Sequence, residues 1–318
     1  MGAQTHGHTH EHAHGGHDHG HGGHGHLTHD GIDWSTRIGH LRREDAVAAE
    51  ASAGIAARLV GGLPARATIV DIGSGAGGQA AAFATALAAR GGGRIVLVDA
   101  VPDLLTAAEE AVHTALGGGV AAESVHVDKV HADAAADELL DRVPAADLVW
   151  AARAVHHLPD EQAGVHRLAR LVRDGGYLAL AEGGLATRYL PWDLGLGEPG
   201  LQDRLNAARD IWFARMRADM PGSVRMPYGW GVALAKAGMA EVTSFSVLTD
   251  HPAPAAPAVR EAVVEWLSMM SERMDEELSE SDRDALRALL DPAADTYVGR
   301  RDDIFLLSAA TVHVGRHG

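Results

Sequence analysis

Three carboxylates stand at or just after short apolar runs, and their spacing is the strongest chemical signal in this chain. Asp71 lies two residues before the first glycine of the segment GSGAGG at 73–78, Asp99 ends the run 94–99, and Asp133 follows a weaker run at 124–127. Parallel strands that alternate with helices place their carboxyl ends at one edge of a sheet, where ligands bind. The spacing therefore predicts one site that contains all three carboxylates.

The glycine segment predicts a tight turn between a strand and a helix. Its glycines allow backbone angles that other residues avoid, and a helix that begins near Gly77 presents unpaired N–H groups to a ligand. A purely structural turn has the same glycines, so the neighbouring carboxylates decide the interpretation. Asp71 departs from the dinucleotide-binding pattern and suits a cationic amine in a nucleoside cofactor without pyrophosphate. We expect Asp99 to hold ribose hydroxyls and Asp133 to accept from an adenine amino group.

Two adjacent histidines form a second candidate group after the apolar run 146–151. An imidazole titrates near neutral pH, so His156 or His157 could act as a general base on a substrate. We prefer His157, because it directly precedes Leu158 and the predicted helix that begins at 160. The alternative is that the pair shapes a pocket or caps that helix. Arg153, in the same loop, could bind a substrate carboxylate or lie at the surface as a solvated side chain.

Apolar runs and helical patterns alternate from 67 to 182. Such alternation predicts an α/β fold, a parallel sheet with helices on both faces, which is the scaffold that would bring the three carboxylates together. The predicted strands are 67–72, 94–99, 124–128, 146–151 and 176–182, and the predicted helices between them are 77–90, 102–116, 135–141 and 160–173.

Shifts in composition divide the chain into five parts. We predict a disordered His/Gly-rich tail at 1–30, an N-terminal helical cap at 31–66, a nucleotide-binding core at 67–184, a helical lid or substrate insertion at 185–228, and a C-terminal part of the core at 229–318 with a second insertion at 252–300. The segment 185–228 carries aromatic side chains among charged ones, so Tyr189 and Trp192 are candidate substrate contacts. Runs at 241–248 and 303–314 predict a closing antiparallel hairpin at the sheet edge.

An ordered set of motifs resembles the class I S-adenosylmethionine-dependent methyltransferase family. The motifs are VDIGSGAGG at 70–78, the strand-end Asp99, HAD at 131–133, DLVWAARAVHHLPD at 147–160 and LVRDGGYLALAEGG at 171–184. The resemblance is close over about 41–182 and looser over 229–315. It implies a Rossmann-like seven-stranded sheet, S-adenosylmethionine as cofactor, and methyl transfer to an oxygen, nitrogen or carbon of a small-molecule acceptor. Within the motif, His157 matches the histidine that the family more often retains.

The resemblance also implies roles for single residues. It places Asp71 and the glycines at the methionine part of the cofactor, Asp99 at the ribose and Asp133 at the adenine. The predicted cofactor set is Asp71, Gly73, Ser74, Gly75, Gly77, Asp99, Ala100, Asp133, Ala134 and Ala151. Catalysis then requires in-line positioning, with a base where the nucleophile carries a proton.

Charge and composition exclude several function classes. The formal net charge of −16 argues against a nucleic-acid partner, whose phosphates attract Lys and Arg. The chain has no cysteine, which removes disulfides, thiolate metal sites and a Cys nucleophile. No secretory leader or membrane-spanning run is visible. We therefore expect a cytoplasmic monomer or homodimer that does not bind membranes.

The N-terminal tract carries eleven of the 21 histidines of the chain. A tract of this composition cannot bury a core, and its imidazoles can bind Zn²⁺, Ni²⁺ or Cu²⁺. The candidate ligands are His6, His8, His10, His12 and His14. We interpret the tract as a metal-storing or adventitious tail that is unconnected with catalysis. The alternative function is a metal-binding or metal-delivery protein on a degenerate nucleotide-binding scaffold.

Two further alternatives concern the core. A metal held by histidines such as His156, His157 or His251 could chelate an acceptor and lower its pKa. Aminopropyl transfer, as in spermidine synthases, uses the same cofactor fold but requires acidic residues near the fourth strand, where Arg153 and the two histidines stand instead. Both alternatives rank below methyl transfer without a metal.

Overall fold

The computed structural model describes the backbone of residues 34–318 and side chains from residue 37 onward. The tail predicted at 1–30 and its candidate metal ligands His6, His8, His10, His12 and His14 lie outside the described residues.

Seven strands form one mixed sheet in the order β3-β2-β1-β4-β5-β7-β6. The first five strands are parallel, and β7 runs antiparallel to β5 and β6. This arrangement confirms the Rossmann-like seven-stranded sheet that the motifs implied. The strands are β1 (Thr68–Ile72), β2 (Gly93–Asp99), β3 (Val125–His131), β4 (Ala146–Ala152), β5 (Val172–Arg188), β6 (Ala240–His251) and β7 (Leu306–Arg316).

Helices cover both faces of the sheet and form two insertions beside it. The helices that precede or separate the parallel strands are α1 (Trp34–Val47), α2 (Ala49–Gly61), α3 (Gly78–Ala88), α4 (Pro102–Leu116), α5 (Val120–Ser124), α6 (Leu139–Arg142) and α7 (Glu161–Ala169). Those after β5 are α8 (Leu201–Asp219), α9 (Trp230–Lys236), α10 (Pro257–Arg273) and α11 (Glu280–Leu290).

Alternate residues of each central strand enter different cores, as the two-residue period of a strand requires. In β1, Ile69 belongs to the cluster under α2, α3 and α4, while Val70 belongs to the cluster under α7 and α9. A third cluster, which includes Leu205, Leu267 and Leu286, joins α8, α10 and α11. The inserted helices therefore have a hydrophobic core of their own.

The structure corrects four predicted segments. The helix expected at 160–173 ends at Ala169, and β5 begins at Val172 rather than at residue 176. The helical cap expected at 31–66 is divided at Ala48, whose angles are φ −89° and ψ 3°, so that α1 contacts α4 and α10 while α2 packs on α3. The predicted helix 135–141 shortens to α6, because Asp133 Oδ1 accepts from the Ala135 N–H at 2.8 Å and forms a turn there. Residue 124 belongs to α5 rather than to a strand, and β3 begins at Val125.

Candidate active site

The glycine loop connects β1 to α3 at the carboxyl edge of the sheet. The N–H groups of Gly73 and Ser74 donate to Val98 O of β2 at 2.8 and 3.1 Å, which fixes the loop against the neighbouring strand. Gly77 has φ 90°, and a Cβ built on it would lie 2.5 Å from Cα of Ala108 in α4. Glycine is therefore required at position 77 both by its backbone angle and by the close approach of α4.

Asp99 connects the end of β2 to the same loop. Its carboxylate is buried and accepts from the Gly75 N–H at 3.1 Å and from the Val101 N–H at 3.0 Å. The Ala132 N–H donates to the Asp99 carbonyl at 3.0 Å, which brings the end of β3 alongside. The strand ends predicted to share one site thus lie next to each other.

Asp71 is a buried carboxyl group beside this loop, with 3% of its surface exposed. Burial raises its pKa to about 8, and the carboxylates of Asp99 and Asp45 add to the shift. The nearby Ser74 hydroxyl is buried and has no hydrogen-bond partner in the described part of the chain. A ligand that brings a positive charge and a polar atom would satisfy both groups. The ammonium of S-adenosylmethionine has that chemistry, so these residues fit the cofactor.

Asp45 of α1 was not singled out in the sequence. Its Oδ2 accepts from the Gly78 N–H, the first residue of α3, at 3.0 Å. Burial raises the pKa of Asp45, while this hydrogen bond opposes the shift. No local pattern around residue 45 predicts the contact, because it joins elements 33 residues apart. Through Asp45, the N-terminal helix forms part of the wall of the site.

The remaining predicted cofactor residues lie along the same edge of the sheet and stay predictions. Asp133 follows β3 in the turn described above. The Ala100 carbonyl oxygen lies 2.9 Å from His131 Nε2. The Ala134 carbonyl accepts a hydrogen bond from the Arg167 guanidinium at 3.3 Å. Ala151 is fully buried in β4, where it pairs with Ile72.

His156 forms the most developed acid–base arrangement of the site. Its Nδ1 lies 2.7 Å from Oε2 of Glu182, a carboxylate with 2% of its side chain exposed. The other oxygen of Glu182 accepts from the N–H groups of Ala154 and Val155 at 3.0 and 2.9 Å. A carboxylate at this distance can accept a hydrogen bond from Nδ1, and in that tautomer of the neutral ring Nε2 is the nitrogen able to accept a proton. The role of His156 as a base stays a prediction.

Glu182 lies in the motif at 171–184, but no role was predicted for it. The signal was present, since Glu182 follows the apolar run 178–181 as Asp99 follows its own strand. The preferred base, His157, has an exposed side chain, and its ring centroid lies 4.1 Å from that of His156. The structure thus gives His156 the buried carboxylate partner, and the choice between the two histidines stays a prediction.

Helix α8 closes over the turn that holds His156. The Phe213 ring lies edge-on to the His156 ring, with centroids 5.7 Å apart. One helical turn further on, the Arg217 guanidinium donates to the carbonyls of His156, Leu158 and Pro159 at 3.2, 2.5 and 3.2 Å. One side chain therefore fixes three backbone groups of the turn and connects it to the insertion.

The predicted substrate contacts occupy different places. Arg153 follows β4 with φ 51°, a strained angle for a residue other than glycine, and its Nη1 lies 3.6 Å from Oε2 of Glu44 in α1. Tyr189 is buried, with its ring 5.0 Å from that of Trp266 in α10, and burial raises its pKa. Trp192 is 71% exposed. All three assignments stay predictions.

The described residues contain no group of three or more potential metal ligands. His251, one of the core histidines considered for a metal, instead has Nε2 at 2.9 Å from the Val47 carbonyl at the end of α1. Within residues 34–318, no helix combines the length and the apolar character needed to cross a bilayer.

Comparison with known proteins concerns the segment of the chain that carries this site. Residues 70–180, which run from β1 into β5, match a family model described as "Methyltransferase domain". A curated relative, 27-O-demethylrifamycin SV methyltransferase of Amycolatopsis mediterranei, is 33% identical over 146 residues, which are 45% of this chain and 49% of the relative. The chain thus matches about half the length of that relative.

Solved structures that align with this chain include the following two proteins. A protein from Bacillus halodurans, described as a putative methyltransferase, has a TM-score of 0.46 at 15% identity, over 82% of this chain and 96% of the other. Phosphoethanolamine N-methyltransferase 2 from Haemonchus contortus, in complex with S-adenosyl-L-methionine, has a TM-score of 0.42 at 17% identity, over 84% of this chain and 52% of the other. The match to the family model, rather than these structures, identifies the domain.

Proposed function

We propose that this chain, whose residues 70–180 match a methyltransferase domain, is a class I methyltransferase that transfers a methyl group from S-adenosylmethionine to a small-molecule acceptor. One observation carries the proposal: the carboxyl of Asp71 is buried at the glycine loop, and its electrostatic neighbours are two further carboxylates, Asp99 and Asp45. A cationic cofactor removes the cost of that arrangement. Nucleic acid is disfavoured as acceptor by the net charge of −16.

The proposed chemistry requires little from the protein beyond alignment and removal of a proton. S-adenosylmethionine supplies a methyl group made electrophilic by its positive sulfur. The acceptor's lone pair forms the new bond to the methyl carbon as the carbon–sulfur bond breaks, and S-adenosylhomocysteine leaves. We assign the acceptor's proton to Nε2 of His156, because Glu182 holds the opposite ring nitrogen at 2.7 Å.

A hydroxyl is the acceptor group that fits this base best. A neutral hydroxyl becomes a strong nucleophile only when its proton is removed, which is the task for which His156 is oriented. The name of the curated relative describes methylation of an oxygen of a rifamycin. Amine and carbon nucleophiles remain alternatives within the same proposal, as do a monomeric or homodimeric state and a cytoplasmic location.

The proposal is tested by binding and by turnover. Calorimetry with S-adenosylhomocysteine should show one site per chain, because the product keeps the amino acid and nucleoside parts that Asp71 and Asp99 would hold. Incubation with cofactor labelled in the methyl group and a metabolite extract of the native host should then yield a labelled small molecule. Absence of S-adenosylhomocysteine binding by the folded chain would contradict the proposal.

A further inference from the structure

His40 of α1 lies between two carboxylates that come from different helices. Its Nε2 is 3.2 Å from Oε1 of Glu44, one helical turn further along α1, and its Nδ1 is 3.0 Å from Oε2 of Glu265 in α10. A neutral imidazole donates from one ring nitrogen and presents a lone pair at the other, whereas the protonated ring donates from both. With a carboxylate oxygen at each nitrogen, the geometry favours the protonated ring. Only 19% of the side chain is exposed, so water screens these contacts only in part.

Both carboxylates around His40 are held in their ionised form. Burial alone would raise the pKa of Glu44, but the hydrogen bond from His40 and the charge of Arg153 hold it low. Burial would likewise raise the pKa of Glu265, and the hydrogen bonds from Arg43 and His40 hold it low. The protonated ring therefore meets two negative charges, one from each helix.

Three further titratable groups lie around His40: Arg37 and Arg43 of α1, and Tyr189 after β5. The hydrogen bond to Glu44 raises the pKa of His40, whereas burial and the charge of Arg37 lower it, and the net shift is upward. Arg43 pairs with Glu265, and a guanidinium keeps its charge near neutral pH. Burial raises the pKa of the Tyr189 phenol, which therefore stays neutral. Among these groups, only His40 titrates near neutral pH.

Polar contacts, rather than a buried apolar face, hold the described part of α1. No residue from 37 to 47 is fully buried. Arg42 pairs with Glu110 of α4 at 2.7 Å, and Asp45 accepts from the Gly78 N–H of α3 at 3.0 Å. A segment with few buried apolar contacts opens at low cost in free energy. Loss of one charged contact should therefore displace α1 more easily than it would displace a helix of the core.

The contact at His40 and the contact at the glycine loop belong to the same helix. Asp45 follows His40 by five residues, so α1 is fastened to α10 near its middle and to the first turn of α3 near its end. The pair between Arg43 and Glu265 also joins α1 to α10, but it does not change with pH near neutrality. The part of the attachment that can change is the one made by His40.

We propose that His40 is a positioning residue that, as an imidazolium, joins α1 to α10 and so holds Asp45 against the first turn of α3. This attachment is complete below a pH of about 6.5, the usual pKa of histidine, and is lost as the pH rises through the higher pKa of His40 in the folded chain. The attachment goes beyond the proposed function and does not depend on it. Only its consequence for the cofactor rests on the proposed function.

Limited proteolysis with trypsin measures how often α1 leaves its place. Trypsin cleaves after Lys and Arg, and the first such residues of the chain are Arg37, Arg42 and Arg43, all in α1. Cleavage at these sites therefore reports the opening of this helix. At about pH 6 we expect His40→Gln to be cleaved there about three to ten times faster than the wild type, and the ratio to fall towards one by about pH 9. His113→Gln is the matched control, because His113 is exposed on α4.

The role of Glu265 is tested by a double-mutant cycle. Glu265→Gln removes the α10 partner of His40 but leaves Glu44 in place on α1. In that background, His40→Gln should have little further effect on cleavage at about pH 6, because the contact between the helices is already lost.

Calorimetry with S-adenosylhomocysteine at the same pH values tests the step from α1 to the cofactor. We expect His40→Gln to bind it at least about threefold more weakly than the wild type at about pH 6, and equally at about pH 9. Comparison of the two chains at each pH removes contributions that they share, including the titration of Asp71.

Four results would overturn the inference. In the first, His40→Gln and the wild type are cleaved equally at about pH 6. In the second, the cleavage ratio is the same at about pH 6 and about pH 9. In the third, His40→Gln keeps its full effect in the Glu265→Gln background. In the fourth, cleavage changes as expected but the affinity for S-adenosylhomocysteine does not. Failure of the wild type to bind S-adenosylhomocysteine at any pH refutes the proposed function instead, and the cleavage ratios then decide alone whether His40 joins the helices.

Discussion

The two walls of the site are built from different interactions. On the sheet side, Asp99 and the glycine loop are fixed by backbone hydrogen bonds within consecutive strands and turns. On the helical side, Arg217 and Glu44 hold their positions through long side chains that join distant segments. The sheet wall therefore suits a cofactor whose shape is constant. Substitutions in the helical wall should alter which acceptor binds without altering the sheet.

The largest expected effect lies where the two walls meet, at His156. We expect His156→Ala to lower turnover by about two to four orders of magnitude, the usual effect of losing a general base, while affinity for S-adenosylmethionine changes only a few-fold. His157→Ala is the matched control, because its side chain is exposed and adjacent. Steady-state kinetics and calorimetry measure both. If His157→Ala has the larger defect, the base is the residue that the sequence motif favoured.

Asp99 tests the sheet wall. We expect Asp99→Ala to weaken S-adenosylmethionine binding by about 1.5 to 3 kcal/mol, since a charged acceptor of hydrogen bonds is lost. Asp103→Ala should leave the affinity unchanged, because Asp103 is exposed in the first turn of α4. Calorimetry gives both dissociation constants. Equal affinity in Asp99→Ala and wild type would remove the ribose assignment.

Asp71 links the sheet wall to pH. The pKa of Asp71 is about 8 in the folded chain and near 4 in the unfolded chain. Between pH 4 and pH 8 the folded chain therefore keeps a proton that the unfolded chain releases. The free energy of unfolding should fall as the pH rises through that range. The side chain of residue 71 cannot titrate in Asp71→Asn. The Tm of this variant should therefore exceed that of the ligand-free wild type by a margin that grows from pH 4 to pH 8 and reaches at least about 5 °C. Melting curves at several pH values check this. An advantage independent of pH would contradict the burial-driven shift, and Asp103→Asn should show none.

The N-terminal tract should have the smallest effect on either wall. Deletion of residues 1–29 should leave Tm and methyl transfer nearly unchanged while removing most binding of Zn²⁺ or Ni²⁺, because a His/Gly tract offers ligands but no apolar surface to pack. Melting curves, turnover and metal titration of the two proteins make the comparison. A large loss of turnover that added metal does not restore would tie the tract to catalysis.

The sheet wall could be predicted because its residues are close in sequence to the elements that place them. A carboxylate after an apolar run marks the carboxyl end of a strand: Asp99 is the last residue of β2, and Asp71 lies one residue before the end of β1. Glu182 follows the same rule, because it comes directly after the apolar part of β5. The order of the parallel strands then brings these groups together.

The helical wall could not be predicted, because its contacts join residues far apart in the chain. Asp45 of α1 accepts from Gly78 of α3, and Arg217 of α8 donates to the turn at His156. Glu265 of α10 lies 3.0 Å from His40 of α1. Each contact forms only when separate segments of the chain have packed together. Helical spacing shows which side chains share a face, but it does not show which helix that face meets. Long charged side chains that reach between insertions leave no local pattern in the sequence.

The hydrogen bonds from Arg217 to three backbone carbonyls limit how α8 can be redesigned. Trp212 and Met216 of α8 line a groove of about 520 Å³ between α8 and α10. Phe213 and Arg217 touch the turn of His156 rather than the groove, so a graft that replaces the whole helix would also release the base. Under the proposed function, single substitutions on the groove side of α8 should therefore preserve the turn of His156, whereas exchange of the whole helix should not.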